Sequence, residues 1–220
     1  MTRIRTFVIA YVLALALFLF AQHRPEGAQV SSLRGVVDLT RAGETLSAGD
    51  VGTRIDAPAR FAKSLWTVDQ IPAERLIAPL VVLDVSKKTQ QNPDYQISVD
   101  DVARWERANG QIPLGSVVIA RTGQHSNSEK ATAASSAFSA DTEAFLVEGR
   151  AVTGLGTDNL ESRRLNHDAV DKYALSHSVY VLKNVASLER VPASGAVVMV
   201  APAKLRGNTH GPVRLIALLR

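Results

Sequence analysis

Four charged residues occur at short, even-numbered intervals in the segment 50–60. Asp50 and Asp56 carry carboxylates, which can bind cations or exchange protons. Arg54 and Arg60 alternate with them, and a guanidinium group keeps its proton at ordinary pH and has no lone pair to offer a metal. Because buried charges are strongly destabilising unless they are paired, we expect Arg54 to lie within salt-bridge distance of Asp50, Asp56 or, further along the chain, Asp171.

The same segment contains Gly52, Thr53 and Pro58, which together with Asp56 resemble the signature His-x-Gly-Thr-His-x-Asp-x-Pro-x-His. That signature belongs to the metal-dependent cyclase family, which includes bacterial kynurenine formamidases and isatin hydrolases. The chain resembles a degenerate member of this family, because every histidine of the signature is missing. Further stretches are similar to the family over nearly everything from residue 34 to the C terminus: residues 38–40, 71–76, 81–85, 112–123, 154–158 and 211–218.

The resemblance implies a site of six positions, of which only Asp56 is unchanged in this chain. The other five positions hold charged residues that differ from those of the family. Asp50 and Arg54 stand where the family has two metal-binding histidines, and Arg60 stands where it has a histidine that serves the metal site and proton transfer. Asp171 replaces a further histidine, and Lys183 replaces a glutamate.

These six positions carry three carboxylates and three cations, so side-chain charge has replaced metal charge. We therefore expect no metal cofactor and assign no catalytic residue. Three alternatives stay open. The charges could be surface groups that do not touch one another, or Asp50, Asp56 and Asp171 could hold Mg²⁺ or Ca²⁺ through oxygen ligands. His167, four residues before Asp171, could also be a displaced metal ligand.

The remaining sequence offers no other catalytic constellation. The absence of cysteine excludes disulfides, thiolate zinc sites and a cysteine nucleophile. The net charge of +4, or +2 when Arg3 and Arg5 are set aside, is too weak to indicate nucleic-acid binding. The serines of the loop 123–137 lack a nucleophile-elbow pattern, and the glycines at 154 and 156 predict a tight turn rather than a phosphate site.

The N-terminal segment predicts export from the cytoplasm. Arg3 and Arg5 precede an uncharged run over residues 7–21, which is shorter than the roughly 20 residues that span a bilayer and so favours a signal peptide. The poor cleavage site at Ala21 favours an anchor instead. Either way, the positive end is expected to stay cytoplasmic and the domain to be extracytoplasmic, on the periplasmic side. The predicted organisation is a membrane anchor or signal peptide, a linker and a cyclase-like domain: residues 1–23, 24–33 and 34–220.

From residue 34 onward, apolar runs alternate with helical patterns, which is typical of an α/β domain. Ser98 can cap a helix whose apolar stripe contains Val102 and Trp105, and Gly110 closes that helix. A second helix is expected over residues 139–148. The resemblance implies one domain of the swivelling β/β/α type with a mixed sheet. The apolar run 7–21 predicts an N-terminal hydrophobic helix before that domain. The predicted strands cover residues 36–39, 80–85, 116–122, 151–155, 179–182, 196–200 and 213–219.

The altered site predicts a non-catalytic protein of the cyclase fold, exported and tethered to the membrane by its N-terminal helix. Its role would be that of a binding or structural subunit with a protein partner or as a homo-oligomer. The alternative is a metal-dependent hydrolase of the kynurenine formamidase type, which would open amide or lactam bonds with Zn or Mn.

Overall fold

The computed structural model describes residues 33–43, 52–123, 137–159 and 168–220, and for residues 168–171 the backbone only. Asp50, His167 and the predicted N-terminal hydrophobic helix lie outside the described residues. Within the described ranges, no helix is both long and apolar enough to cross a membrane.

The described strands form one mixed sheet, which confirms the predicted α/β class. Strands β3, β4, β5 and β6 are parallel neighbours, and the remaining pairings are antiparallel. The strands are β1 (Gly35–Asp38), β2 (Arg54–Asp56), β3 (Ile77–Asp84), β4 (Val117–Arg121), β5 (Gly154–Thr157), β6 (Tyr180–Lys183), β7 (Ala196–Pro202) and β8 (His210–Leu219).

The sheet closes on itself. The strand order is β8-β2-β6-β5-β4-β3-β7, and β7 pairs back with β8, so that seven strands form a barrel to which β1 is added along β8. The sequence pattern predicted most of these strands but not the closure, because alternating apolar residues do not reveal which strands become neighbours.

Four helices accompany the sheet in the described part of the chain. They are α1 (Ser86–Gln91), α2 (Val99–Asn109), α3 (Ala140–Ala144), which continues into a π-helical turn (Phe145–Gly149), and α4 (Asp168–Ser176). Short 3-10 turns occur at Pro58–Arg60, Val68–Gln70, Ala73–Arg75 and Leu188–Arg190.

Alternate residues of the strands belong to two separate apolar cores, as the two-residue period of a strand requires. One core is the barrel interior, where Ile55, Val82, Ile119, Leu182 and Leu215 meet. The other lies between the outer wall of the barrel and the helices. It joins outward-facing strand residues to helix residues: Val81, Val118, Leu155 and Val181 with Val102, Leu146 and Ala174.

The helix α2 begins and ends as its sequence predicts. Ser98 accepts a hydrogen bond from the Asp101 amide and Asp101 returns one to the Ser98 amide, while Gly110 follows the last turn with φ of 87°. Burial alone would raise the pKa of Asp101, but hydrogen bonds from Lys88, Tyr95 and the Ser98 amide hold that pKa well below its usual range. The cap is therefore charged at neutral pH.

The glycines at 154 and 156 lie in strand β5 and not in the predicted tight turn. A Cβ atom on Gly154 would lie 2.3 Å from the ring of Tyr180, and one on Gly156 would lie 3.0 Å from Cβ of Leu182. Both glycines therefore leave room for large side chains inside the barrel. The predicted strand 151–155 is shifted to 154–157, because Ala151, with φ of 46°, still belongs to the preceding turn.

Candidate functional site

The signature segment begins as strand β2, which the sequence pattern did not predict. β2 lies between β6 and β8, with Arg54 opposite Lys183 and Asp56 opposite Val181. Because Ile55 points into the barrel core, the side chains on either side of it, Arg54 and Asp56, lie on the outer wall. Lys183 shares that wall with them. The register therefore collects three of the six predicted site positions on one surface of the sheet.

A buried ion cluster centres on Asp56, whose exposure is 1%. Its Oδ1 lies 2.5 Å from a guanidinium nitrogen of Arg60, and its Oδ2 lies 3.0 Å from Nζ of Lys183. Lys183 is itself only 3% exposed. The Nζ contact has the distance of an ion pair without the angle of a good hydrogen bond, so its attraction is mainly Coulombic. One carboxylate is thus shared between two cations.

The turn after β2 positions Arg60. Pro58 occupies the first turn of the 3-10 segment Pro58–Arg60, where its fixed φ fits a helical start. The amide of Arg60 donates to the carbonyl of Ala57 at 2.9 Å. This tight turn places the Arg60 side chain beside the carboxylate four residues earlier.

The retained residues of the signature have structural roles in this chain. Thr53 Oγ1 donates to the carbonyl of Asn184 at 2.7 Å and accepts from the amide of Arg41 at 2.7 Å. A Cβ atom on Gly52 would lie 3.1 Å from the carbonyl oxygen of Arg41. Asn184 follows Lys183 directly and adopts a φ of 58°. These contacts join the signature segment to the end of β6, and so align Asp56 with Lys183.

The other predicted site positions are described only in part. Asp50 and His167 lie outside the described residues, so the idea of a displaced histidine ligand is still a prediction. Asp171 lies on α4, which contacts both the Pro58–Arg60 turn and β6, but its side chain is not among those described. Arg60 and Lys183 supply the described ion-pair partners of Asp56. The expected ion pair of Arg54 with Asp50, Asp56 or Asp171 is still a prediction.

Two buried acidic residues near the site were given no role by the sequence analysis. Asp158, directly after β5, accepts hydrogen bonds from the amides of Thr122 and Gly123 at 2.9 and 2.8 Å. Glu143 on α3 accepts from the amide of Ala174 on α4 at 3.0 Å. The sequence could have marked Asp158, because it is an acidic residue directly after a buried strand. Nothing in the local pattern marked Glu143, because its partner is a backbone amide on another helix.

A cleft lies on the same outer wall of the barrel. It is small, with a cavity volume of about 20 Å³, and it is partly open to solvent. Its lining is mainly apolar, with one carboxylate and one hydroxyl: Ala137, Phe138, Glu143, Leu155, Gly156, Thr157 and Val181. Val181 is the residue opposite Asp56, so the cleft borders the ion cluster.

The described side chains do not fit a divalent metal. Both oxygens of Asp56 face cations, and neither Arg60 nor Lys183 can donate a lone pair while charged. Among the side chains that the structure describes, no group of three His, Asp or Glu residues lies close enough together to bind a metal ion. A metal placed at Asp56 would have to displace two paired cations.

Comparison with known proteins agrees with the fold and with the signature. Residues 21–162 match the family model described as "Putative cyclase", and the chain belongs to this cyclase family. Isatin hydrolase from Roseibium aggregatum is 27% identical over 187 residues, which cover 76% of this chain and 71% of that protein. The family is therefore shown by sequence, with isatin hydrolase as one relative.

Solved structures support the same assignment. Isatin hydrolase A from Labrenzia aggregata bound to benzyl benzoate is 29% identical, with a TM-score of 0.68 over 76% of this chain and 72% of that one. Isatin hydrolase A from Ralstonia solanacearum has a TM-score of 0.73 over 84% and 92% of the two chains. Its identity is 24%, so this second likeness shows the fold alone.

The buried cluster predicts that Asp56 and Lys183 are energetically coupled, so that the effect of replacing one residue on stability depends on the presence of the other. Replacing Asp56 by Ala leaves a buried ammonium without its carboxylate, so Asp56→Ala should lower the free energy of unfolding by about 3–5 kcal/mol. Combining Asp56→Ala with Lys183→Met should cost less than the sum of the single changes, by at least about 1 kcal/mol. Urea denaturation of the full chain, followed by circular dichroism, measures these differences.

Asp38→Ala is the matched control, because Asp38 and Arg214 form an exposed ion pair of 2.8 Å. Its loss should cost below about 1 kcal/mol. Strictly additive effects at Asp56 and Lys183, or an Asp56→Ala cost no larger than that of the control, would contradict a buried, mutually dependent cluster.

Proposed function

We propose that this member of the cyclase family is non-catalytic and acts as a binding or structural subunit. The observation that carries the proposal is the pairing of Asp56 with both Arg60 and Lys183. Arg60 and Lys183 contact the carboxylate oxygens of Asp56, the one family site residue that this chain retains, where a metal ion would otherwise bind. The charge that a metal would supply to this carboxylate is supplied by side chains.

The chemistry of the cluster argues against hydrolysis. Metal-assisted hydrolysis needs a bound ion that lowers the pKa of water, together with a group that can accept a proton. Arg60 cannot accept a proton at ordinary pH. Arg60 and Lys183 would also repel an incoming divalent ion. The three described residues of the ion cluster, Asp56, Arg60 and Lys183, therefore offer neither an available metal ligand nor a general base.

A metal-dependent hydrolase of amide or lactam bonds is the second candidate. It is favoured by the relationship to isatin hydrolase. This function would require Asp50, Asp56 and Asp171 to hold the metal, such as Zn or Mn, with the Arg60 and Lys183 contacts broken. The ion cluster makes this candidate the weaker one.

The cleft beside the cluster supports a binding role. Its lining of Phe138, Leu155 and Val181, with Glu143 and Thr157 as polar groups, has the mixture of apolar wall and few polar contacts that is typical of binding sites. A protein partner or a second copy of the chain is the other candidate for what the subunit binds. No nucleic acid is proposed.

We further propose that the chain is exported and held at the membrane. The basic residues Arg3 and Arg5 before the apolar run 7–21 support an N-terminal anchor or signal peptide with its positive end in the cytoplasm. The cyclase domain would then lie on the extracytoplasmic side, in the periplasm.

Metal content tests the non-catalytic proposal. We expect the full chain, purified without chelator and without a metal-affinity tag, to contain far less than one zinc or manganese per chain, because Arg60 and Lys183 occupy the Asp56 carboxylate. Elemental analysis by mass spectrometry measures this, with a metal-retaining family member prepared in parallel as control. Stoichiometric metal in this chain would overturn the proposal.

Protease accessibility tests the proposed location. Protease added to spheroplasts should digest the cyclase domain and leave cytoplasmic marker proteins intact, since the basic N terminus is expected to stay inside. A domain that resists digestion until the cells are lysed would reverse the assigned side. A mature N terminus beginning after residue 21 would show secretion without an anchor.

A further inference from the structure

An apolar surface lies on the outer side of β1, β8, β7 and the first half of β3, and is called here the β7–β8 face. Its residues alternate with neighbours that point into the barrel core, such as Val37, Val198 and Ala217. Val36 and Ile77, at the two margins of the face, are 58% and 60% exposed. The apolar residues that carry the face are exposed or half-buried: Val36, Ile77, Val197, Met199, Ile216 and Leu218.

The strand register joins these residues into rows that run across the sheet. The first row is Val36, Leu218, Val197 and Pro79, and the second is Ile216, Met199 and Ile77. Both rows therefore extend over neighbouring strands without a break. A continuous exposed apolar patch of this kind is typical of a surface that contacts another protein or a membrane.

The helices do not cover this face in the described part of the chain. The second apolar core, which lies beneath the helices, uses β4, β5, β6 and the later residues of β3. The extensive contacts of β1, β7 and β8 are with other strands. A sheet normally places apolar residues against another layer. The β7–β8 face is therefore a surface without such a layer.

The chain enters the domain at the edge of this face. Leu33, which is 46% exposed, and Arg34 directly precede β1. The proposed membrane anchor ends at residue 23, and the ten residues 24–33 span at most about 35 Å even when fully extended. An anchored chain would therefore hold the edge of the face close to the bilayer. A tethered surface needs only weak affinity to stay docked, because its effective concentration is high.

Two arginines flank the apolar rows. Arg34 lies two positions before Val36, and Arg214 lies two positions before Ile216, so both continue the outer side of their strands. Both arginines are exposed. Asp38 is the acidic residue of the rows, and it pairs with Arg214 at 2.8 Å. Arg34 thus adds a positive charge at one end of the face.

The loop between β7 and β8 adds an exposed apolar residue between two cations. Leu205 is 55% exposed, and its neighbours Lys204 and Arg206 are exposed as well. The amide of Gly207 donates to the carboxylate of Asp69 at 3.0 Å, which ties this loop to the domain. With Arg34 and Arg214, the border of the face has four cations against two carboxylates. Basic residues beside exposed apolar ones are attracted to anionic lipid.

We propose that the β7–β8 face docks on the surface of a bilayer that contains anionic lipid. The apolar rows and Leu205 enter the boundary between headgroups and acyl chains, while the cations stay at the level of the headgroups. A bilayer is favoured over another protein because the proposed anchor already holds this edge of the domain near lipid, and because the excess charge of the border is positive. This inference rests on the proposed membrane attachment and does not involve the ion cluster.

Fluorescence quenching by lipid tests the docking, because the chain has no natural cysteine and accepts a single label. The full chain carrying Met199→Cys or Leu218→Cys is labelled with a thiol-reactive fluorophore and reconstituted into vesicles of phosphatidylcholine and phosphatidylglycerol. Lipids with a nitroxide near the headgroup end of the acyl chain should quench both labels. Ala108→Cys is the matched control, since Ala108 is exposed on α2, in the helical layer.

A charge in the face provides the second part of the test. Ile77→Glu in the Leu218→Cys background should reduce the docked fraction at least about tenfold, because a carboxylate in the apolar boundary loses its hydration. Ala108→Glu in the same background should leave the quenching unchanged. Both changes are at exposed positions, and circular dichroism checks that the domain is folded. Vesicles of phosphatidylcholine alone should quench less, because they do not attract the cations of the border.

Three results from a chain that floats with the vesicles would overturn the proposal. Quenching at Met199 and Leu218 no stronger than at Ala108 would show that the face lies away from the bilayer. Labels shielded from nitroxide lipids and from water-soluble quenchers alike would assign the face to a protein contact. Quenching that does not change when phosphatidylglycerol is left out would exclude anionic lipid as the partner.

Flotation separates this inference from the proposals on which it could depend. A full chain that does not float with the vesicles would refute the membrane attachment itself, and the docking with it. A chain that floats but is not quenched would refute the docking alone. None of these results changes the metal content, so the non-catalytic proposal is tested separately.

Discussion

The sharing of one buried carboxylate between two cations is the constraint on which the site depends. Asp56 belongs to β2, Arg60 to the turn that follows, and Lys183 to β6. An isolated charge at Asp56 or Lys183, which are almost fully buried, would be strongly destabilising, whereas the Arg60 side chain is 33% exposed. The three residues therefore have to be considered as one electrostatic group. A change at Asp56 or Lys183 therefore requires a compensating change in the same group, since a single cation without Asp56 could not remain buried.

The backbone around the cluster explains why part of the signature is retained. Gly52 allows the chain to pass close to Arg41, and Thr53 joins that chain to Asn184 at the end of β6. These contacts do not depend on a metal. They keep β2 and β6 in register, which is needed equally by a metal site and by an ion cluster. The residues that maintain geometry and those that perform chemistry can thus change independently within one short segment.

Sequence reasoning found the family, the α/β class, the capped helix α2 and most strands, because each depends on local patterns. It missed β2, which has only three residues, the six-residue helix α1, and α4, which begins at Asp168. It also misjudged the glycines at 154 and 156, since their reason is the size of Tyr180 and Leu182 on a neighbouring strand. The pattern of acidic and basic residues predicted that ion pairs would form in the signature segment, and Asp56 does form ion pairs. The described partners, Arg60 and Lys183, depend on the turn after Pro58 and on the pairing of β2 with β6. The expected ion pair of Arg54 is still a prediction, because Asp50 and the Asp171 side chain lie outside the described residues.

We propose that charged side chains have replaced a metal on a backbone that keeps the family geometry. The most direct measurement is calorimetric titration of Zn²⁺ or Mn²⁺ into the native chain and into a variant carrying Asp50→His, Arg54→His, Arg60→His, Asp171→His and Lys183→Glu. The account predicts saturable, stoichiometric binding by the folded variant and none by the native chain. Binding by the native chain, or no binding by a variant that circular dichroism shows to be folded, would contradict it.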